Sequence, residues 1–229
     1  MIDEENTRLC LARAAAPHAV FDGWGEAALR AAAAEVGVEE RFARSLFPRG
    51  GVDLARAFHR WGDRELLRRW PARPVDNLRY RDRVREAVML RLEIVTPERE
   101  AVRRAAALFA LPPNLPYGAE AAWQSADAVW TALGDRSEDM NWHTKRLMLA
   151  GIFSATVLAW LGDESPDLAA TRAFLERRID EVMAIEKLKG RLRAGPLGPL
   201  LGRIERAPFL ARPRPRADLP GRLAPEQER

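Results

Sequence analysis

One stretch limits what this chain can fold into more than any other: NWHTKRLMLAGIFSATVLAWLGD, residues Asn141 to Asp163. A polar and aromatic head runs directly into Leu147 to Leu161, where only Gly151, Ser154 and Thr156 interrupt apolar residues. A helix that is apolar on nearly every face must be buried. Crossing a bilayer takes about 20 predominantly apolar residues, and the uninterrupted run is shorter, so it predicts the central helix of a helical domain. The rest of the chain agrees. It is rich in Ala, Leu and Arg and shows no sustained alternation of period two, which predicts an all-α fold.

The segments on either side read as further helices. Glu4 to Ala16 predicts a first helix ended near Pro17. Trp24 to Val36, a turn at Gly37, and a short helix from Glu39 to about Phe47 give a helix-turn-helix pattern. Its order and length look like the N-terminal domain of TetR-type repressors. A recognition helix normally offers small, polar or basic groups at its start, and this one offers Glu39 and Glu40. Carboxylates there oppose the phosphate term that dominates DNA affinity, although Arg41, Arg44 and Arg49 act the other way. The expectation is a retained fold without nucleic-acid binding, with a ligand-responsive TetR-type transcriptional regulator as the alternative. Helices are also predicted over Val52 to Trp70, Val75 to Val95, and from Pro97 to about Ala110 with Thr96 as N-cap. Two more cover Tyr117 to Leu133 and Asp167 to about Gly190. Trp123 and Trp130 lie seven residues apart and so on one side of their helix. They serve either core packing or the wall of a cavity for an apolar ligand.

The charge is uneven. From Glu186 to Arg229 there are eleven Lys or Arg against five Asp or Glu, so the net +4 of the chain resides in its tail and the body is nearly neutral. Within that tail Leu200, Leu201 and Ile204 share one face of a short helix starting at Pro199, and Arg203 and Arg206 lie off that face. With Leu197, this is the composition of an interfacial membrane helix, and a docked helix or a disordered basic tail is the alternative. The expected organisation is an N-terminal bundle over 1–74, a larger helical domain over 75–193, an amphipathic membrane helix over 194–211 and a disordered basic tail over 212–229.

Catalytic patterns are missing. The residues three before His18, His59 and His143 are Ala15, Arg56 and Met140, so the Glu-x-x-His pair of a di-iron bundle is not present. The chain contains no GxSxG, HExxH or GxGxxG signature, and Cys10 is its single cysteine. These features predict no catalytic residues, no metal and no redox cofactor. The N-terminus reads as neither signal nor transit peptide, which gives an expected cytoplasmic location.

Several motifs together resemble a known family. FDGW, the VGV turn, LFPRGGVDL, NWHTKR, SATVLAWLGDES and AFLERRIDEVMAIEKLKGRLR look like the ubiquinone-biosynthesis accessory proteins called coenzyme Q protein nine. The resemblance covers about Leu9 to Arg193. It implies a TetR-like fold that does not act as a repressor, a homodimer, and a cavity holding a lipid or isoprenoid quinone precursor. It also implies contact with the inner membrane surface, and presentation of the precursor to a di-iron demethoxyubiquinone-type hydroxylase. Carried over to this chain, the partner-binding head is Trp142, His143, Thr144, Lys145 and Arg146, with His143 where the family often has Tyr. The lipid-binding candidates are Trp123, Trp130, Leu133, Leu149, Phe153 and Trp160. The mitochondrial members carry a targeting extension, so a bacterial origin is the expectation for this chain.

Overall fold

The computed structural model describes residues 3–135 and 140–194, with side chains described up to Val182 apart from those of 140 and 141. Nine α-helices account for the described residues: α1 (Glu4–Asp22), α2 (Glu26–Val36), α3 (Glu40–Leu46), α4 (Gly51–Arg69), α5 (Tyr80–Val95), α6 (Arg99–Phe109), α7 (Leu115–Ala132), α8 (Met140–Leu161) and α9 (Ala169–Ala194). Among the described residues there is no strand. The all-α expectation stands, and the predicted segments match the observed helices to within a few residues in most places.

The exceptions have local causes. Pro17 does not end α1; it is exposed within the helix, which continues to Asp22 and closes at Gly23. Only the hydrogen bond that proline cannot donate is lost, on a solvated face. Thr96 is not an N-cap either. Its hydroxyl donates back to the Leu92 carbonyl at 2.9 Å, and α6 begins only after a single 3-10 turn, Thr96–Glu98. The segment from Val75 to Arg79 forms turns, so α5 starts five residues later than the periodicity predicts.

Helix α4 is the axis that joins the two ends of the molecule. It packs along α1 on one side and along α7 on the other, and also touches α5 and α6. One apolar core accordingly runs from Leu11 of α1 to Ile179 of α9. Trp24, whose indole donates to the Ala101 carbonyl at 2.9 Å, and Phe58, at 5.2 Å ring to ring, knit the N-terminal helices to α6 and α4. The expected boundary near residue 74 falls in the 3-10 turn Trp70–Ala72 and the turns that follow it, but the packing on either side is continuous.

The apolar stretch becomes α8, between α7 and α9. By length and composition Trp142–Leu161 reaches what a membrane-crossing helix requires, which corrects the expectation that it is too short. Its Leu149, Phe153, Thr156 and Trp160 are instead buried against the rest of the protein. The C-terminal carbonyls of α8 are received by α6: Arg99 donates to Trp160 and Asp163, and Arg103 donates to Leu161 at 2.6 Å. Cations at this end answer both the unpaired carbonyls and the helix dipole. Asp163 then nucleates α9. It accepts the Ser165 amide and hydroxyl on one oxygen and the Thr171 amide and hydroxyl on the other. Those hydrogen bonds, from Ser165 first, hold its carboxyl well below the usual carboxylate range. The proposed membrane helix, with Leu197, Leu200, Leu201, Arg203, Ile204 and Arg206, and the basic tail lie outside the described residues.

Candidate functional site

Small residues on α7 create a void that its neighbours do not fill. Gly118, Ala121 and Ala122 face α6 and α8 across a cavity of about 400 Å³. Gly118 is needed where α6 and α7 approach, because a Cβ there would stand 2.9 Å from the Phe109 Cβ. Val102 and Ala106 of α6 and Phe153 and Val157 of α8 complete apolar walls, and the exposed Leu115 and Leu158 are also part of the lining. A volume of this size with an almost wholly apolar lining suits a small apolar ligand. A larger groove of about 700 Å³ lies between α1 and α4, but Arg13, Glu35, Arg64, Glu65 and Arg68 line it. It mixes those charges with the apolar Leu9, Ala14 and Trp61, and so is less uniformly apolar than the cavity.

His59 of α4 lines the cavity at its inner side. Beyond it a recess of about 10 Å³ shares His59, Val102, Phe153 and Val157 with the main space and adds Phe58, Arg91 and Trp160. Burial, and secondarily the cation of Arg91, push the His59 imidazole down to a pKa of about 3, so the ring is neutral at ordinary pH. Arg91 is itself buried. Its Nε donates to Asp63 Oδ1 at 2.8 Å, another nitrogen donates to the His59 carbonyl at 3.0 Å, and its guanidinium lies 5.8 Å from the Phe153 ring centre. Ser125 of α7 donates to the same Asp63 oxygen at 2.8 Å. Burial raises the Asp63 carboxyl above its ordinary value, opposed by Arg91 and Ser125. Gly62 makes the arrangement possible, since a Cβ there would fall 2.5 Å from the Arg91 guanidinium carbon. The cavity therefore rests on a paired, net-neutral charge cluster that spans α4, α5 and α7.

Of the six residues expected to hold lipid, only Phe153 lines the main cavity. Trp160 is fully buried and borders the inner recess, with Arg99 5.1 Å from its ring. Leu133 and Leu149 are buried in the core outside the lining. Trp123 and Trp130 do share one side of α7, but that side meets the head of α8 rather than the cavity. Trp123 lies 5.8 Å from Trp142 and 6.2 Å from His143. Trp130 lies 6.1 Å from Tyr80, and the Lys145 ammonium is 5.5 Å from its ring. The small residues of α7, not its large ones, mark the space. The GAEAA run, Gly118 to Ala122, is the sequence signal that points to it.

The head of α8 is folded inward. Arg146 is buried, donates to Asp127 at 2.5 Å and to Asp135 at 3.3 Å, and stacks 4.3 Å from the Trp142 ring centre. Its expected place on a partner-binding surface is thereby corrected, because the guanidinium ties α7 to α8. Lys145 donates to Asp135 at 2.8 Å and is partly buried, as are Trp142, His143 and Thr144.

At the other end, the helix-turn-helix geometry is present. Gly37 takes the left-handed turn between α2 and α3, with φ 74°. On the short α3, Glu40 accepts from Arg30 and Arg44, and Arg44 also meets Glu26, while Arg41 is exposed and in no ion pair among the described residues. Arg49 is held by Asp53 and lies 4.8 Å from the Tyr117 ring centre. Among the described residues no group of three His, Cys, Asp or Glu converges as a metal site.

The COQ9 family model matches residues 115–186, which takes in α7, α8 and most of α9. The mitochondrial ubiquinone biosynthesis protein COQ9 of Rattus norvegicus is 39% identical over 100 residues, covering 44% of this chain and 32% of that protein. Human COQ9 matches at 39% identity over 44% of this chain and 31% of its own length. That of Drosophila melanogaster is 32% identical over 185 residues, 76% of this chain and 55% of that protein. The chain thus spans about a third of the mammalian relatives and about half of the insect one. A TetR transcriptional regulator from Nitrosomonas europaea superposes with a TM-score of 0.58 over 77% of this chain and 97% of that one, at 19% identity. That likeness shows the fold: a TetR-like all-α frame. On this frame, α7, α8 and most of α9 supply a matched segment that carries two walls of the cavity and the aromatic head of α8, and it is there that the chain is similar to the COQ9 ubiquinone biosynthesis proteins.

Proposed function

We propose that the chain is a lipid-binding accessory protein of ubiquinone biosynthesis, not an enzyme in its own right. It holds an apolar molecule, an isoprenoid quinone precursor, between α6, α7 and α8, and presents it to a di-iron hydroxylase at the inner membrane surface as a homodimer. The observation that carries this reading is the placement of the apolar cavity: α7 and α8, which form two of its walls, lie within the segment matched by the COQ9 family. The half-buried Trp142, His143, Thr144 and Lys145 at the head of α8 and the basic apolar tail are where partner and membrane would be met.

Native mass spectrometry of the purified full chain tests the reading. A co-purified lipid or isoprenoid is expected, and Ala122→Trp, which fills the cavity from α7, should lower its occupancy at least about tenfold, since a ligand cannot share a filled pocket. A wild-type protein without bound lipid, or an Ala122→Trp protein that is folded and equally loaded, overturns it.

The TetR-like frame favours one rival, a ligand-responsive transcriptional regulator. The ion pairs between α2 and α3 oppose it, because Arg30 and Arg44 already have carboxylate partners that phosphate would have to displace, which leaves Arg41 as the cation of α3 without an ion pair among the described residues. A specific, salt-resistant complex with genomic fragments in a gel shift would favour the rival.

A further inference from the structure

The apolar cavity ends on polar groups that nothing around them satisfies. His59 Nδ1 is buried without a hydrogen-bond partner among the described residues, and so is Trp160 Nε1. Both residues border the same inner recess, and His59 lines the main cavity as well. A buried polar group left unpaired is costly, so two of them around one small space are informative. The recess, at about 10 Å³, admits roughly one oxygen-sized atom, about the room a single water needs.

The charge beside it is already cancelled. Arg91 borders the recess, but Asp63 accepts from its Nε at 2.8 Å and the His59 carbonyl takes a second donor. An anionic head would bring an uncompensated charge next to a neutral cluster and would lose its hydration on the way in. An uncharged oxygen would lose much less and would lie beside the two residues that carry the unpaired nitrogens. The opposite end of the lining, at Leu115 and Leu158, is exposed and apolar, which suits a hydrocarbon tail.

We infer that His59, with Trp160, is the polar specificity determinant of the cavity, selecting an amphiphile that enters head first with one uncharged oxygen, a phenol, alcohol or quinone carbonyl, and leaves its hydrocarbon toward Leu115 and Leu158. This rests on the proposed lipid-binding role and adds to it an orientation and a head-group chemistry, in which the head has to leave the recess before a hydroxylase can act on it. His59 acts by hydrogen bonding and takes part in no covalent step.

The test equilibrates the full chain with para-dodecylphenol, dodecylbenzene or dodecanoate and reads occupancy by native mass spectrometry. The wild type should take the phenol over dodecylbenzene by about tenfold, the worth of one good hydrogen bond in a dry site, and dodecanoate should bind less than the phenol. His59→Leu should erase the preference while leaving dodecylbenzene bound, His59→Gln should keep part of it, and Trp160→Phe, which removes the indole N–H donor and also opens space beside the recess, should weaken it. Equal loading of phenol and dodecylbenzene on the wild type, a preference that survives in both His59→Leu and Trp160→Phe, or a preference for dodecanoate would overturn the inference while leaving the lipid-binding role intact. Failure of every probe to bind the wild type, or binding unaffected by Ala122→Trp, would refute the cavity reading itself and this inference with it.

Discussion

The two ends of this molecule use arginine in opposite ways. At the helix-turn-helix end, Arg30 and Arg44 pair with Glu40 and Glu26 at the surface, with half or more of each arginine side chain exposed. Beneath the cavity, Arg91 is only 2% exposed and is matched by a single buried carboxylate, Asp63. Surface pairs of the first kind contribute about 0–1 kcal/mol, because water and salt screen them. A buried pair is strongly felt when one partner is removed, since the other charge is left in a medium that cannot solvate it. The helix-turn-helix shape is retained at one end, with Arg30 and Arg44 locally neutralised. At the other end, a structural commitment is made around the cavity.

The largest test of that contrast is Asp63→Ala. It strands the Arg91 guanidinium and should lower unfolding free energy by about 3–5 kcal/mol in urea or thermal titrations. A loss under about 1 kcal/mol would mean that Arg91 finds water, and that the cluster is no more demanding than a surface pair. Asp163→Ala should cost less, about 2 kcal/mol, by removing a carboxylate that receives two backbone amides and two hydroxyls at the start of α9. Because that carboxyl is held below its ordinary range, its contribution is complete above the unfolded carboxylate pKa and is lost as pH falls toward the folded value.

His59 gives a pH signature of the opposite origin. Its folded pKa of about 3 lies below the ordinary 6.5, so on acidification the unfolded chain binds the proton first. Stability from this group is flat above that ordinary value and falls by at most about 1.4 kcal/mol per pH unit below it, down to the folded pKa. His59→Gln should therefore show a shallower decline in melting temperature between neutral pH and about pH 5 than the wild type. A wild-type profile no steeper than the variant's would place His59 in contact with solvent. The smallest effect is expected at the other end: Glu40→Ala, which breaks the pairs with Arg30 and Arg44, should change stability by about 0.5 kcal/mol or less in the same titrations. A larger change would show that the module relies on these pairs for its shape.

Much of this architecture is legible in the sequence, and the misses share a cause. Periodicity and turn residues place nine helices because both are local properties: Gly37 must be where a left-handed turn is needed, and Leu149, Phe153 and Trp160 must be inside. The choice of cavity residues fails for Trp123 and Trp130, although the two rings do share a side of α7. Helical spacing tells which residues lie together on α7 but not which neighbour that side meets. Arg146 misleads in the same way, reading as part of an exposed basic head until Asp127 and Asp135 are seen beside it.

By itself the sequence determined the all-α class, the TetR-like order of helices, the family resemblance and the burial of one side of the apolar stretch, whose Leu147 and Leu158 stay exposed, because these depend on local spacing and on side-chain transfer out of water. Only the tertiary structure decided where the apolar surface fails to close. A void is what remains when helices far apart in sequence cross over residues too small to meet, here Gly118 and Ala122 on α7 opposite Val102 on α6 and Phe153 on α8. The same crossing brings His59 of α4 and Trp160 of α8 to one recess, though 101 positions separate them in the chain. No spacing rule connects residues that meet only through the packing of two other helices, α5 and α6.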